Sequence, residues 1–258
     1  MPVSQYISAC RELLNSIEAQ SEQIEQAAKW FTKSILAGRV VHLFGAGHSR
    51  IMVEEMWPRY GSFPGFNPIV ELSLTFHNSV VGANGQRQAM FLENQSGFAK
   101  RILRNFNLSP EDTALVISSS GCNVVPIEIA EHFHNRGIRV VALVSLAHCL
   151  ASESRHQGGK KLIDFADLVL DSGAPAGDAM VQVSGLDTPV APGSTVGGCV
   201  VVNAVKTAVS QQLVAAGQPP LVLTAACIAG EARSSELFES AYDEHGRRIG
   251  KLLNHSSS

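Results

Sequence analysis

A chain of 258 residues that is 45% hydrophobic and 17% charged can bury a sizeable core, as one large domain or two small ones. Its net charge of −3 and pI near 6.3 give no overall pull toward nucleic acid or an anionic membrane, and no apolar run is long enough to span a bilayer. Five scattered cysteines (Cys10, Cys122, Cys149, Cys199 and Cys227) without a CxxC fit reduced thiols rather than a disulfide frame. The first twenty residues lack the apolar core of a secretion signal, so a cytoplasmic protein is expected.

Residues 3–36 predict two helices. Tyr6, Cys10, Leu13, Leu14 and Ile17 recur at helical spacing, as do Ile24, Ala27, Ala28, Phe31 and Ile35, and Gly38 is placed to end the second helix. Residues 40–44 predict a buried strand, 48–59 a helix stopped near Pro58, and 67–72 a strand. A long amphipathic helix is expected over 88–106, then a strand at 113–118, a helix at 124–135 and a strand at 138–145. Residues 168–171 predict a short strand, and 195–216 and 234–253 predict helices. Strands alternating with helices imply one α/β domain with a parallel sheet covered on both faces. Three stretches rich in Gly, Pro, Ser and Asn (61–67, 151–160 and 173–193) predict the loops that build a site at the carboxyl ends of the strands.

Two segments carry most of the chemical information. Val116-Ile-Ser-Ser-Ser-Gly-Cys-Asn123 and Leu43-Phe-Gly-Ala-Gly-His-Ser49 each run from an apolar strand through glycine and small hydroxyl residues into a helix. A helix N-terminus offers free N–H groups and a dipole that favours an anion. Gly45-Ala-Gly47 lacks the third glycine of a dinucleotide fingerprint, with Arg50 in its place, so a bare tight turn competes with a cofactor reading. Ser118, Ser119, Ser120 and Asn123 cluster within six positions around Gly121, more than the single residue a helix cap needs. A phosphate held by hydroxyls and amides is therefore expected there.

Phe44-Gly-Ala-Gly-His-Ser49 and Ile117-Ser-Ser-Ser-Gly-Cys-Asn123 resemble the two signature turns of sugar isomerase (SIS) domains, and Gly193-Ser-Thr195 before an apolar helix bearing Asn203 resembles a third landmark. The likeness spans roughly residues 35–216. It is strongest to the phosphoheptose-isomerase-like branch and to SIS proteins with a Ser-Leu-Ala-His, Ser-Arg-His, Gly-Lys pattern, here Ser145-Leu-Ala-His148, Ser154-Arg-His156 and Gly159-Lys160. The resemblance implies a flavodoxin-like three-layer αβα sandwich and a phosphosugar ligand. It implies that Ser49, Ser118, Ser120 and Asn123 hold the phosphate, with Gly47, His48, Ser119, Gly121, Ser194 and Thr195 completing the turns. Asn123 and His48 depart from the family's usual residues.

Aldose–ketose isomerisation needs a group that moves a proton between neighbouring carbons. The resemblance puts the family's glutamate near Arg59, so Glu55, on the same helix, is the carboxylate candidate; an Arg-paired surface Glu is the competing reading. Glu93 is a second candidate, bordering an apolar stripe. His77, His148 and His156 follow strand ends and are candidates for proton transfer; because some family members bind zinc they are also possible ligands, but no spacing supports a metal. His132 and His134 face different sides of a helix, and His42 reads as a structural strand residue. Arg155 and Lys160 lie in the most basic loop, where a lid reaching the anionic end of a ligand competes with an ordinary solvated loop. Asp178 is a hydroxyl-binding or turn residue.

Together these observations predict a single domain over 1–258 that acts on a sugar phosphate through an enediol, with Glu55, His148 or His77 moving the proton and no cofactor. A non-catalytic phosphosugar sensor is the alternative, ahead of an amino-sugar-phosphate lyase or etherase. The resemblance further implies a homodimer or homotetramer.

Overall fold

The computed structural model describes residues 1–75 and 85–253. Helices α1 (Pro2–Glu18) and α2 (Ser21–Leu36) form the expected N-terminal pair. Pro2 opens α1, where a missing N–H costs nothing. Gly38, at φ +72°, follows the end of α2. The apolar positions read from the sequence face inward: Leu13, Ile17, Ala27, Ala28, Phe31 and Ile35 are buried.

The chain continues through β1 (Val41–Gly45), a 3-10 turn over Gly47–Ser49, α3 (Arg50–Met56), β2 (Phe66–Ile69), α4 (Gln86–Leu92), α5 (Phe98–Leu103), β3 (Thr113–Ile117), α6 (Val124–His134), β4 (Arg139–Val144), α7 (Leu146–Ala151) and β5 (Leu168–Asp171). A hairpin of β6 (Ala179–Val181) and β7 (Val190–Pro192) leads into α8 (Ser194–Ala215), α9 (Ala226–Ala229) and α10 (Glu231–Leu253). Strands β1 to β5 form one parallel sheet in the order β2-β1-β3-β4-β5. This is the flavodoxin-like order expected from the sequence, and its direction of winding reverses between β1 and β3.

The period-two alternation of each strand divides the core between two faces. Val41, Leu43, Leu115, Ile117, Val141 and Leu143 pack against residues of α1, α2, α3 and α8. Phe44, Ala114, Val116, Val140, Ala142 and Val144 pack against residues of α5 and α6. At the amino ends of the strands, His42 is fully buried and shares a polar chain: its Nε2 lies 3.2 Å from Asp112 Oδ2, its Nδ1 lies 3.0 Å from Asn67 Nδ2, and Arg39 donates to both Asp112 oxygens. The expected structural role of His42 is what the geometry displays.

Four expectations need correction. The helix expected over 88–106 is two short helices, because Gly97 at φ +81° turns the chain and the Glu128 carboxylate caps α5 through the Gly97 N–H and the Ser96 hydroxyl. The helix expected over 48–59 is shorter, since the 3-10 turn occupies its start and Trp57 is extended before Pro58. The strand expected over 67–72 stops at Ile69, and Glu71 instead caps a 3-10 turn at Leu72–Leu74 by accepting from the Ser73 N–H and hydroxyl. Residues 173–193, expected to lack regular structure, contain the β6–β7 hairpin.

Candidate functional site

At the reversal point the carboxyl ends of β1 and β3 diverge, and in open α/β sheets ligands bind in the crevice so formed. Here a cavity of about 400 Å³ opens there. From the β1 side, Gly47, His48 and Ser49 line it; from the β3 side, Ser118, Ser119, Ser120 and Asn123 do. Ser194 and Thr195, at the start of α8, complete the wall, and His148 enters from α7. The structure thus gathers ten of the residues expected from the sequence around one space.

The serine turn is arranged to receive a ligand. The N–H groups of Ser119, Ser120 and Asn123 donate to no acceptor among the described residues. Ser119 Oγ and His148 Nδ1 are shielded from solvent and have no hydrogen-bond partner among the described residues. Buried polar atoms in folded proteins are nearly always paired, so such atoms facing a cavity mark a place for a bound group. Gly121 does not line the space but shapes it. At φ +60° it turns the chain, and a Cβ there would meet Cys149 Sγ at 3.2 Å. Burial pushes the Cys149 thiol up to about 11, with the Cys122 thiol adding to the shift, so neither reads as a nucleophile.

Glu93, at the end of α4, brings a carboxyl group to the same cavity. Its Oε2 accepts from Asn123 Nδ2 at 2.8 Å, and its carbonyl accepts from the Val125 N–H at 2.9 Å. Asn123 Oδ1 in turn accepts from Arg155 Nη1. Burial raises the Glu93 carboxyl to about 7, and the Asn123 amide and the Arg155 charge oppose that rise without overcoming it. Asn123, expected to hold phosphate through its amide, directs one hydrogen of that amide to Glu93.

Glu55 stands elsewhere. It does not line the cavity; its Oε1 accepts from Asn203 Nδ2 at 2.8 Å and its Oε2 pairs with Arg59. Burial alone would raise its carboxyl, but the bonds from Asn203 and Arg59 and the charges of Arg59 and Lys206 hold it below the ordinary range. Of the two carboxylate candidates, Glu93 lines the cavity and Glu55 does not. The break at Gly97 and the approach of α6 bring Glu93, at the border of the apolar stripe, to the cavity wall.

The basic loop is ordered by its own contacts. Ser154 Oγ donates to the Lys160 carbonyl, and the His156 ring accepts from the Gly158 N–H at 3.3 Å. Neither His156 nor Lys160 lines the cavity, and Arg155 reaches it only through Asn123. His77 lies outside the described residues. Among those described, no three His, Cys, Asp or Glu side chains gather as a metal site.

Comparison with known proteins decides the family. A sequence profile described as "SIS domain" matches residues 5–145. The chain belongs to the SIS-domain family. A UPF0309 protein of Listeria monocytogenes is 31% identical over 252 residues, covering 97% of this chain and 98% of its own. A UPF0309 protein of Geobacillus kaustophilus is 32% identical over 248 residues, covering 95% and 92%. Among solved structures, a phosphoheptose isomerase from Neisseria gonorrhoeae superposes with a TM-score of 0.50 at 15% identity, over 81% of this chain and 96% of that one. The sugar isomerase domain of an RpiR transcription factor from Sphaerobacter thermophilus also gives 0.50 at 15%, over 94% and 98%. At that identity the likeness is one of fold.

The SIS scaffold brings to the cavity residues that no motif announced. Met52, Leu74, Ala89 and Met90 supply its apolar lining and Gln86 an amide. They come from segments of ordinary composition, and only the winding of the sheet brings them together. No helix among the described residues is long and apolar enough to cross a membrane.

Proposed function

We propose that this SIS domain is an aldose–ketose isomerase of a sugar phosphate. The observation that carries the reading is a carboxyl group near pKa 7 in the same cavity as an unsatisfied serine turn. The phosphate sits on the Ser118–Ser120 hydroxyls and the free N–H groups of Ser119, Ser120 and Asn123, with Ser49 across from them. Glu93 in its carboxylate form takes the proton from the carbon beside the carbonyl. The electron pair moves to the carbonyl oxygen, which receives a proton at the enediol stage, and His148 Nδ1 is the unpaired group placed to exchange it. Glu93 then returns its proton to the neighbouring carbon while the hydroxyl on the carbon first deprotonated gives its proton to His148 and becomes the new carbonyl. A base is most effective with a pKa near the working pH, and about 7 meets that condition.

The test uses a panel of sugar phosphates and their unphosphorylated parents. A ligand that binds only the folded chain raises its melting temperature. Any phosphate that does so is then incubated with the protein in D2O, and deuterium at the carbon beside the carbonyl is followed by NMR. Incorporation by the wild type and its loss in Glu93→Gln is the expected result. Binding without incorporation would assign a phosphosugar-binding protein that does not catalyse, and stabilisation by no phosphosugar would remove the reading altogether.

A further inference from the structure

Asp178 also lines the cavity, and its contacts give it a task beyond that of a turn residue. It leads into β6 with φ +70°, in the left-handed region that Asp enters more readily than most residues. The carboxylate folds onto the start of α8. Oδ1 accepts from the Gly193 N–H at 3.1 Å and the Ser194 N–H at 2.7 Å, and Oδ2 accepts from the Ser194 hydroxyl at 2.8 Å. A carboxylate offers about four acceptor positions and three are filled, leaving one on Oδ2.

The electrostatic consequence follows from magnitudes. A helix N-terminus is equivalent to about +0.5 of a charge, whereas an ionised carboxylate carries a full negative charge. The start of α8, which by itself would attract an anion, is therefore net negative. The cavity has no compensating cation: of the described residues that line it, none is Lys or Arg, and its only carboxyl side chains are Glu93 and Asp178. Three helix starts bring serines to this space, Ser49 at α3, Ser118–Ser120 at α6 and Ser194 at α8. The start of α8 is closed by the chain's own carboxylate.

We infer that Asp178 is the specificity-determining residue of the cavity: it accepts a hydroxyl or ammonium group of the ligand and excludes a second anionic group. The inference rests on the phosphosugar reading and narrows it. The substrate class becomes a monophosphate of a neutral or amino sugar, and bisphosphates and phosphorylated sugar acids are refused.

Titration calorimetry of the full chain tests this with four probes: glucose 6-phosphate, glucosamine 6-phosphate, fructose 1,6-bisphosphate and 6-phosphogluconate. Like charges brought together in an enclosed site are strongly unfavourable, so both doubly anionic probes are expected to bind the wild type at least about tenfold more weakly than the better monophosphate. Asp178→Asn keeps an oxygen for the Gly193 and Ser194 N–H groups and removes the charge. It is expected to bring the four probes to within about threefold of one another, since about a tenfold penalty of charge origin is removed with that charge. Comparison of the two monophosphates distinguishes the donor: an advantage of the amine that vanishes in Asp178→Asn identifies ammonium recognition, and equal binding identifies a hydroxyl. Equal affinity of the wild type for monophosphates and doubly anionic probes would overturn the inference without any variant. So would discrimination that persists in Asp178→Asn. If none of the probes, and no sugar phosphate of the wider panel, binds the wild type, the phosphosugar reading falls and this inference with it.

Discussion

Glu93→Gln separates the raised carboxyl from every other feature of the site. The folded value of about 7 stands against an ordinary 4.5, a difference of 2.5 units. At 1.36 kcal/mol per unit this is about 3 kcal/mol. The sign follows from proton counting. Between pH 4.5 and 7 the folded state holds the Glu93 proton more tightly than the unfolded chain, so folded protein binds more protons and stability falls as pH rises. Below 4.5 both states are protonated and the term vanishes; above 7 both are ionised and the full penalty applies. Glutamine has no such penalty and still offers an oxygen to Asn123. Glu93→Gln is therefore expected to be close to wild type in stability at pH 4.5 and more stable at pH 8 by about 3 kcal/mol, or roughly 6–12 °C in melting temperature for a domain of this size. Paired melting curves of the two proteins from pH 4.5 to 8.5 measure it. A stability difference that does not change with pH would show that Glu93 titrates normally, and the proposed base would lose its physical basis. The same substitution should cost about 10²–10⁴ in isomerisation rate. A side chain that destabilises the fold at neutral pH yet is needed for turnover is the signature of a group retained for chemistry.

The remaining expectations concern single contacts. Ser119→Ala and Ser120→Ala should each weaken phosphosugar binding by about 1.5–3 kcal/mol, the value of a hydrogen bond to a charged group, while leaving the unphosphorylated parents unaffected in calorimetry. Glu55→Gln should leave turnover within about threefold and reduce stability by about 1 kcal/mol, the loss of a partly exposed pair and one hydrogen bond; a collapse of activity with intact binding would restore Glu55 to the mechanism. Asp112→Ala should cost about 3–5 kcal/mol in a denaturant titration, because Arg39 and His42 lose their buried partner. The bonds from His42 and Arg39 hold the Asp112 carboxyl below its ordinary range against the effect of burial, so its contribution is present at neutral pH and lost as the pH falls through that lowered value, which acid denaturation of wild type and variant would reveal.

The residues that announced themselves in the sequence did so through period and punctuation. The apolar spacing of α1 and α2, the strand–turn–helix passages at Gly47 and Gly121, and the run into α8 all appear where they were expected. Each is a local signal, resolved within one or two turns of chain. What local signals do not reveal has another cause. Glu55 and Glu93 look alike in sequence, both on apparently amphipathic helices. What separates them is long-range: Glu55 meets Asn203 across 148 positions, and Glu93 meets Asn123 across 30. The first partner is one of two donors to a carboxylate held below its ordinary range, whereas the second leaves it largely desolvated. Asp178 was legible as a turn residue, but its place at the mouth of α8 depends on the β6–β7 hairpin, whose short strands carry no strong alternation.

The make-up of the cavity also explains why a phosphate site would be built from serines. A lysine or arginine beside the phosphate would bind it more strongly, but within 4–6 Å of Glu93 such a charge would pull the carboxyl back toward its ordinary range by 1–3 units, as nearby opposite charges do. At that value Glu93 would be a weak base at neutral pH. Hydroxyls and N–H groups at the start of α6 attract an anion without that side effect. Arg155 is the exception that fits the rule: it reaches Glu93 only across the Asn123 amide, and its charge opposes the rise without cancelling it. A bound phosphate would add negative charge to the cavity and push Glu93 upward again. The Arg155 charge, acting across the Asn123 amide, opposes that push as it opposes the rise caused by burial.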